Sequence, residues 1–348
     1  MAKALQLARR GLYTTDPNPR VGCVLVKDNR IIAQGWHMWA GKEHAEVQAI
    51  RAAGGLAAGA SLYVNLEPCC YSGRTPPCVE TIVAAGIRSV HAAILDPHPK
   101  VSGKGMADLK RQGVEVSTGL MATEARRLNR GFIKRWEEAM PWVRCKLAMG
   151  LEGATGFKNG KRKWITAPPA RRDGHKWRAR SSAVITSAKT AANDNALLTA
   201  RLDNVEINQP LRVLIDSSFS LAPTASFFAQ DEEVLWIGSE DAIPPKQLPL
   251  KTHIHQLPTT DDGLCLKSLI SHLAKLEMNE VMIEAGPCLT ASFLRAQLVD
   301  ELIFYIAPSF LGPNPLNWLE LGSESQQFAW QDVRFIANDL RIIAHRLC

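Results

Sequence analysis

Apolar and polar positions follow two rhythms along the first part of the chain. "GCVLVKDNRIIAQGWH" (22–37) is an apolar run, a polar turn at "KDNR" and a second run, which predicts a hairpin. From His44, "HAEVQAIRAAG" changes to helical spacing and stops at Gly54 and Gly55, residues that end helices. "ASLYVNLEPC" (60–69) predicts a strand halted by Pro68, and "PPCVETIVAAG" (76–86) a helix opened by proline and closed by Gly86. "IRSVHAAILDP" reads as a strand, and "KGMADLKRQGVEVSTG" as a helix followed by a short strand. "ATEARRLNRGFIKRWEEAMP" reads as one basic helix ending at Pro141, which sets a domain boundary there. Strands alternating with helices predict an α/β layered fold.

The second part repeats that alternation with other motifs. Strands are expected at "PWVRCKLAM", "SSAVITSA", "LRVLIDS", "EVLWIGS", "EVMIEAG" and "DELIFYIAP". A helix at "LKSLISHLAKLE" precedes "EVMIEAG" and another follows it. No G-x-G-x-x-G follows a strand, so the usual dinucleotide fingerprint is missing. Periodicity here gives a fold class and no function.

At 348 residues the chain suits two domains, 1–141 and 142–348. No apolar run reaches the length of a membrane span, and the N-terminus lacks the apolar stretch and cleavage site of a secretory signal. The eight cysteines are scattered except for one cluster, which argues for metal binding in a reducing cytoplasm over a disulfide framework. The net charge of +7 is uneven: residues 1–141 hold 19 Lys+Arg against 12 Asp+Glu, and 142–348 hold 22 of each. Within the second part, 144–180 holds 11 basic and 2 acidic residues, a block that suits solvated surface, nucleic acid or phosphorylated small molecules.

The cysteine cluster changes the picture. His44, Cys69 and Cys78 offer an imidazole and two thiolates, a set that suits zinc and leaves a fourth position for water. A structural site would close that position with a fourth protein ligand. Glu46, two residues after His44 in the first helical turn, can reach that water and shuttle its proton. Cys70 is a second choice beside Cys69, which "E-P-C" favours. His-x-Glu followed by Pro-Cys is the zinc-deaminase pattern, with the acid as proton carrier and not as ligand. Eight residues separate Cys69 from Cys78, where common nucleobase deaminases have a short Cys-x-x-Cys.

"TTDPNPRVGCVLVKD", "HAEVQAI", "LEPCCYSGRTPPC", "DPHPKVSGKG", "KWITAPPARRD" and "VMIEAGP", in that order over nearly the whole length, resemble the bifunctional riboflavin-biosynthesis deaminase/reductase family. The long cysteine spacing with "GRTPPC" inside it is characteristic of that family. The resemblance implies a cytidine-deaminase-like three-layer domain followed by a dihydrofolate-reductase-like domain. It implies zinc-dependent deamination of 2,5-diamino-6-(5-phosphoribosylamino)pyrimidin-4-one, then NADPH-dependent reduction of the ribosyl group to a ribityl chain. It also implies phosphorylated pyrimidine substrates without nucleic acid or membrane, and a homo-oligomer.

By the same resemblance, Asn18 and Arg74 match pyrimidine- and phosphate-contacting positions, with His37 a weaker candidate. Ala148, Trp164, Thr190, Asp194, Ser217 and Gly286 match NADPH-contacting positions. Lys146, Arg178, Leu198, Arg201 and Glu284 match substrate-contacting ones. Read singly, Trp164 and Leu198 suit core packing and the arginines solvated surface. The family's D-P-N-P begins at Asp96 but has His98 for Asn; S-L-D-G reads "GLEG", with Gly150 and Glu152; a substrate-contacting Ser is Arg162; and A-D-D-P reads "NDNA". A deaminase of another nucleobase or of nucleic acid, with a vestigial second domain, is the competing reading. A metal-stabilised binding protein is a further one, and it gives Glu46 no task.

Overall fold

The computed structural model describes residues 1–71, 76–157, 164–312, 315–317 and 325–347. The chain divides into two compact units, Met1–Ala139 and Met140–Cys348.

The first unit runs α1 (Ala2–Ala8), β1 (Gly22–Lys27), β2 (Arg30–Trp36), α2 (Ala45–Ala53), β3 (Ser61–Val64), α3 (Cys78–Ala84), β4 (Ser89–Ala92), α4 (Lys104–Arg111), β5 (Glu115–Thr118), α5 (Ala122–Leu128) and α6 (Arg130–Glu138). Its described strands form a five-stranded sheet in the order β2-β1-β3-β4-β5. The β1–β2 hairpin and the β1–β3 pair are antiparallel, and β3, β4 and β5 are parallel. Asp28 and Asn29 both take positive φ, the backbone that lets a two-residue turn follow the twist of its strands. One core joins the sheet to α2, α3 and α4, and a second joins Leu66, Ala93 and Ile94 to α1, α5 and α6.

The basic stretch 122–141 forms two helices and not the single one its pattern predicts. The break at Asn129 has a tertiary cause: its side-chain oxygen accepts from Arg20 N at 2.8 Å and its amide donates to Arg20 O at 3.0 Å. Asn129 leaves helical geometry at φ −108° and ψ 20° to make both bonds.

The second unit runs β6 (Trp142–Met149), β7 (Ala154–Phe157), α7 (Pro168–Arg180), β8 (Ala183–Ser187), α8 (Ala188–Asp194), β9 (Leu211–Ile215), β10 (Val234–Ser239), β11 (Thr252–Leu257), β12 (Thr259–Thr260), β13 (Gly263–Leu264), α9 (Leu266–Lys275), β14 (Glu280–Ile283), α10 (Pro287–Arg295), β15 (Glu301–Ile306), β16 (Pro315–Asn317), β17 (Phe328–Ile336) and β18 (Asp339–Arg346). Nine described strands form one sheet in the order β11-β10-β9-β8-β14-β6-β15-β18-β17. The run from β11 to β15 is parallel, and β18 and β17 add on antiparallel. Both faces of the central strands are buried, so each strand divides its side chains between two cores. Val281 and Ile283 of β14 join α9 and α10 in one, while Met282 joins α8 in the other.

Part of the basic block 144–180 is taken up in ion pairs inside this unit, while Arg172 and Lys176 are exposed and residues 158–163 lie outside the described residues. Arg144 is fully buried, with Nε donating to Glu301 at 2.7 Å and Nη2 to Glu280 at 2.5 Å. Arg180 Nε reaches the same Glu280 at 2.8 Å, and His345 pairs with Glu301 at 2.9 Å. This network closes the amino ends of β6, β14 and β15. Removing one member of a buried ion cluster leaves the others uncompensated, at a cost of about 3–5 kcal/mol. Arg144→Met should therefore lower the urea stability of the second unit by that amount, read from hydrogen exchange in β6 and β14. A loss below about 1 kcal/mol would show that the network does not hold this edge.

Candidate active sites

In the first unit the chemistry gathers where α2 and α3 begin. His44 is the extended residue before α2, with φ −72° and ψ 160°, and Glu46 lies in the first turn. Gly35 of β2 seats that turn: a Cβ there would run into the Ala45 carbonyl. Cys69 follows Pro68 beyond β3, and Cys78 opens α3 after Pro77. The ligand atoms of His44, Cys69 and Cys78 all lie within 4.8 Å of one another. His44 Nδ1 is 3.1 Å from Cys78 Sγ and 3.5 Å from Cys69 Sγ.

The electrostatics fit a cation at that point. The hydrogen bond from Cys78, together with His44 and against the effect of burial, pulls the Cys69 thiol down to about 4. Cys78, engaged with Cys69 and buried, moves the other way. Glu46 is 3% exposed, its Oε2 has no hydrogen-bond partner, and burial pushes its carboxyl up to about 7. An orphaned buried carboxylate oxygen beside an imidazole and two sulfurs suits a zinc site with a proton carrier at its open side. Cys70 turns away, with Sγ 3.6 Å from the Lys100 carbonyl.

Around this centre, His37 Nδ1 meets the Glu43 carbonyl at 3.1 Å and Nε2 meets Asn18 Nδ2 at 3.0 Å, which fixes a neutral tautomer. His37 also sets its ring edge-on to His44, 5.5 Å between centroids. Asn18 is thereby brought to the centre. His98 sits between Tyr71 and Trp136, at 5.5 and 4.2 Å. Arg74 lies outside the described residues. Glu67 escaped the sequence reading. It is buried and accepts backbone N–H groups from Asp96 (3.0 Å), Gly103 (2.9 Å) and Met106 (3.1 Å), tying the 96–106 loop to the residue before Pro68. An acid directly before Pro-Cys was its only signal.

In the second unit the candidates collect at the carboxyl ends of the parallel strands, where open α/β sheets bind ligands. Ala148 is near the end of β6, Thr190 in the first turn of α8, Ser217 just beyond β9, and Glu284 and Gly286 just beyond β14. Thr190 Oγ1 accepts from Gly286 N at 3.1 Å, which ties the start of α8 to that of α10. Arg178 grips Glu284 with Nε at 2.5 Å and Nη2 at 2.9 Å, and Lys146 Nζ lies 3.5 Å from the same carboxylate. Burial alone would raise Glu284, but Arg178 and then Lys146 outweigh it and hold the carboxyl at about 2. Arg201 donates to Thr199 Oγ1 at 2.8 Å.

Asp194 and Ser217 are exposed at this edge, and with the Thr190 hydroxyl and the N–H groups opening α10 they offer an acceptor carboxylate, hydroxyls and backbone donors suited to ribose and phosphates. That set fits NADPH. Trp164 is 61% exposed, with the Arg171 guanidinium 4.5 Å from its ring centre, while Leu198 is buried in the α8 core. Arg162 lies outside the described residues. The "GLEG" departure is a linked pair: a Cβ at Gly150 would collide with the Glu152 carboxylate and lie 2.7 Å from the Ser309 carbonyl. Glu152 Oε1 instead accepts from Leu311 N at 2.6 Å.

Comparison with known proteins places both geometries. Residues 1–94 match the cytidine and deoxycytidylate deaminase zinc-binding region, and residues 141–341 match the RibD C-terminal domain. The riboflavin biosynthesis protein RibD of Escherichia coli is 40% identical over 98% of this chain and 96% of its own length. A structure of Acinetobacter baumannii RibD superposes with a TM-score of 0.92 at 40% identity, covering 100% of this chain and 98% of that one. A Thermotoga maritima protein described as a diaminohydroxyphosphoribosylaminopyrimidine deaminase/5-amino-6-(5-phosphoribosylamino)uracil reductase superposes at 0.87 with 32% identity, over 100% and 97%. With two family models on two units and relatives matched end to end, the chain belongs to the RibD family of riboflavin biosynthesis proteins.

Proposed function

We infer that this chain performs both reactions named for the Thermotoga relative, with residues 1–141 as the deaminase and 142–348 as the NADPH-dependent reductase. The observation that carries the reading is the buried, unpartnered Glu46 oxygen beside the His44–Cys69–Cys78 cluster. These three residues hold zinc, which when bound supplies the Lewis acidity that activates water at neutral pH. Glu46 takes a proton from the attacking water and returns it to the departing ammonia as the ring C–NH₂ becomes a carbonyl. Asn18, held by His37, orients the pyrimidine, and Arg74 meets the phosphoribosyl side.

In the second unit Ala148, Trp164, Thr190, Asp194, Ser217 and Gly286 seat NADPH, the hydride source. Lys146, Arg162, Arg178, Leu198, Arg201 and Glu284 bind the deaminated ribotide. Glu284 stays ionised and fixes Arg178 and Lys146 against the opened ribose, so that positioning carries most of the rate. The described free cysteines suit a reducing cytoplasm. A second copy of the chain is the partner for β17. This edge strand carries Trp330 (70% exposed), Val333 (57%) and Phe335 (78%), and the register shift after Trp330 puts all three in phase. An antiparallel edge can pair with itself about a two-fold axis.

Glu46→Gln should keep zinc and fold, lose deamination by at least about a hundredfold, and still reduce the deaminated ribotide. Product masses with and without NADPH decide it, and joint loss of both activities would count against two independent sites. Metal analysis should find zinc retained in Cys70→Ser and lost in Cys69→Ser; the reverse would overturn the ligand assignment. Light scattering should show an oligomer that Trp330→Lys with Phe335→Lys dissociates. A monomeric wild type would remove the proposed interface.

A further inference from the structure

His175 lies in α7 beside the Arg178–Glu284 pair, and no role has so far fallen to it. Both of its ring nitrogens face nitrogen atoms of one residue. Nδ1 is 3.2 Å from Arg201 N, and Nε2 is 3.2 Å from Arg201 Nη2. A neutral imidazole has one lone pair and one N–H, and the backbone amide and the guanidinium can only donate. One of the two contacts therefore sets donor against donor. Protonating the ring would add a second donor and deepen the conflict, and burial, Arg178 and Arg201 drive its pKa down to about 4 against a weaker pull from Glu284 and the Thr199 carbonyl.

The backbone amide is fixed, whereas the guanidinium can turn, so Nδ1 accepts from Arg201 N and Nε2 carries the proton. Nε2–H and Arg201 Nη2 are then two donors 3.2 Å apart, and among the described residues no acceptor is shared by the two. Arg201 Nη1 is already engaged by Thr199 Oγ1 at 2.8 Å, which leaves the Nη2 side turned to the imidazole. Arg201 is exposed, so the pair is open to ligand. The surroundings carry surplus positive charge: Glu284 is matched by Arg178 and Lys146 together, and Arg201 is extra.

We propose that His175 is a phosphate-binding residue of the reductase site, its Nε2–H and Arg201 Nη2 closing on one oxygen of a phosphate monoester. The inference rests on the reductase reading, because it needs a phosphorylated ligand at this edge. The deaminated ribotide and NADPH each bring such a group. One acceptor oxygen relieves the donor conflict and adds a charge-assisted bond.

The test uses the full chain and compares His175→Ala with His175→Gln, whose amide can accept from Arg201 N and still donate. KM and kcat are measured with the deaminated ribotide and its dephosphorylated riboside, and with NADPH and NADH. His175→Ala should raise one phosphorylated ligand's KM about tenfold with kcat within about twofold, and His175→Gln should recover most of it. A rise for the ribotide and not the riboside assigns the substrate phosphate; a rise for NADPH and not NADH assigns the cofactor phosphate. Equal effects on the phosphate-free partners, or no effect on either KM, would overturn the proposal. If the wild type reduces nothing, the reductase reading fails separately. Calorimetry with ribose 5-phosphate then decides: His175→Ala must bind it about tenfold more weakly than His175→Gln, and equal affinities would overturn the proposal.

Discussion

A carboxylate buried with one oxygen unpartnered is expensive, and the first unit is arranged around keeping Glu46 in that state. Ordinary folding would remove the cost by turning the side chain outward or bringing up a donor. Here α2 cannot shift, because Gly35 lets β2 lie directly against its first turn. His44, just before that turn, is fixed by the same contact. The cysteines arrive from β3 and α3 on the far side, and Glu67 pins the loop behind Cys69. A cation held among His44, Cys69 and Cys78 would offset part of that cost and so link its binding to the stability of this unit.

The second unit shows how the completeness of an ion network separates holding a fold from holding a ligand. At the amino ends of its strands, Arg144, Arg180, Glu280, Glu301 and His345 form a set closed in charge, although Arg144 Nη1 has no acceptor among the described residues, with Arg144 and both glutamates fully buried. At the carboxyl ends the same residue types form an open set. Glu284 saturates Arg178, but Arg201 and His175 present more donors than acceptors. A closed set specifies which strands lie together, and an open one waits for an anion. Sequence composition merges the two into a single basic block.

Much of the fold and of the first site was legible because local rules dominate there. The hairpin, α2 with its glycine stop, α3 with its proline start and the central strands follow hydrophobic period and turn chemistry. The His44–Cys69–Cys78 cluster was legible because zinc chemistry restricts residue type and spacing. β17 and β18 were not, since charged and polar residues interrupt their apolar positions. α7 was hidden by five Lys or Arg within it, among them Arg178 and Arg180, whose glutamate partners lie about a hundred residues away. Long-range pairing leaves no periodic trace. His175 had none either: its meaning depends on where Arg201 N and Nη2 fall.

Gly150 and Glu152 of the "GLEG" turn also depend on a contact that their spacing in sequence hides. Taken separately, Gly150 and Glu152 look like two losses from a binding loop. In the structure they share one volume, since the longer acid folds over the position where a Ser side chain would stand and caps Leu311 N. Restoring Ser at 150 alone would force Glu152 off that amide, and shortening Glu152 alone would leave the space over Gly150 unfilled. Each residue makes sense only with the other in place, so the pair is one substitution in physical terms. The turn keeps its backbone bonds, Gly150 N to Ala154 O at 2.9 Å and Leu151 N to Ser309 O at 3.0 Å. A change that preserves the turn and supplies its own cap is repacking, and it leaves the strand-end site of Lys146, Arg178 and Glu284 intact.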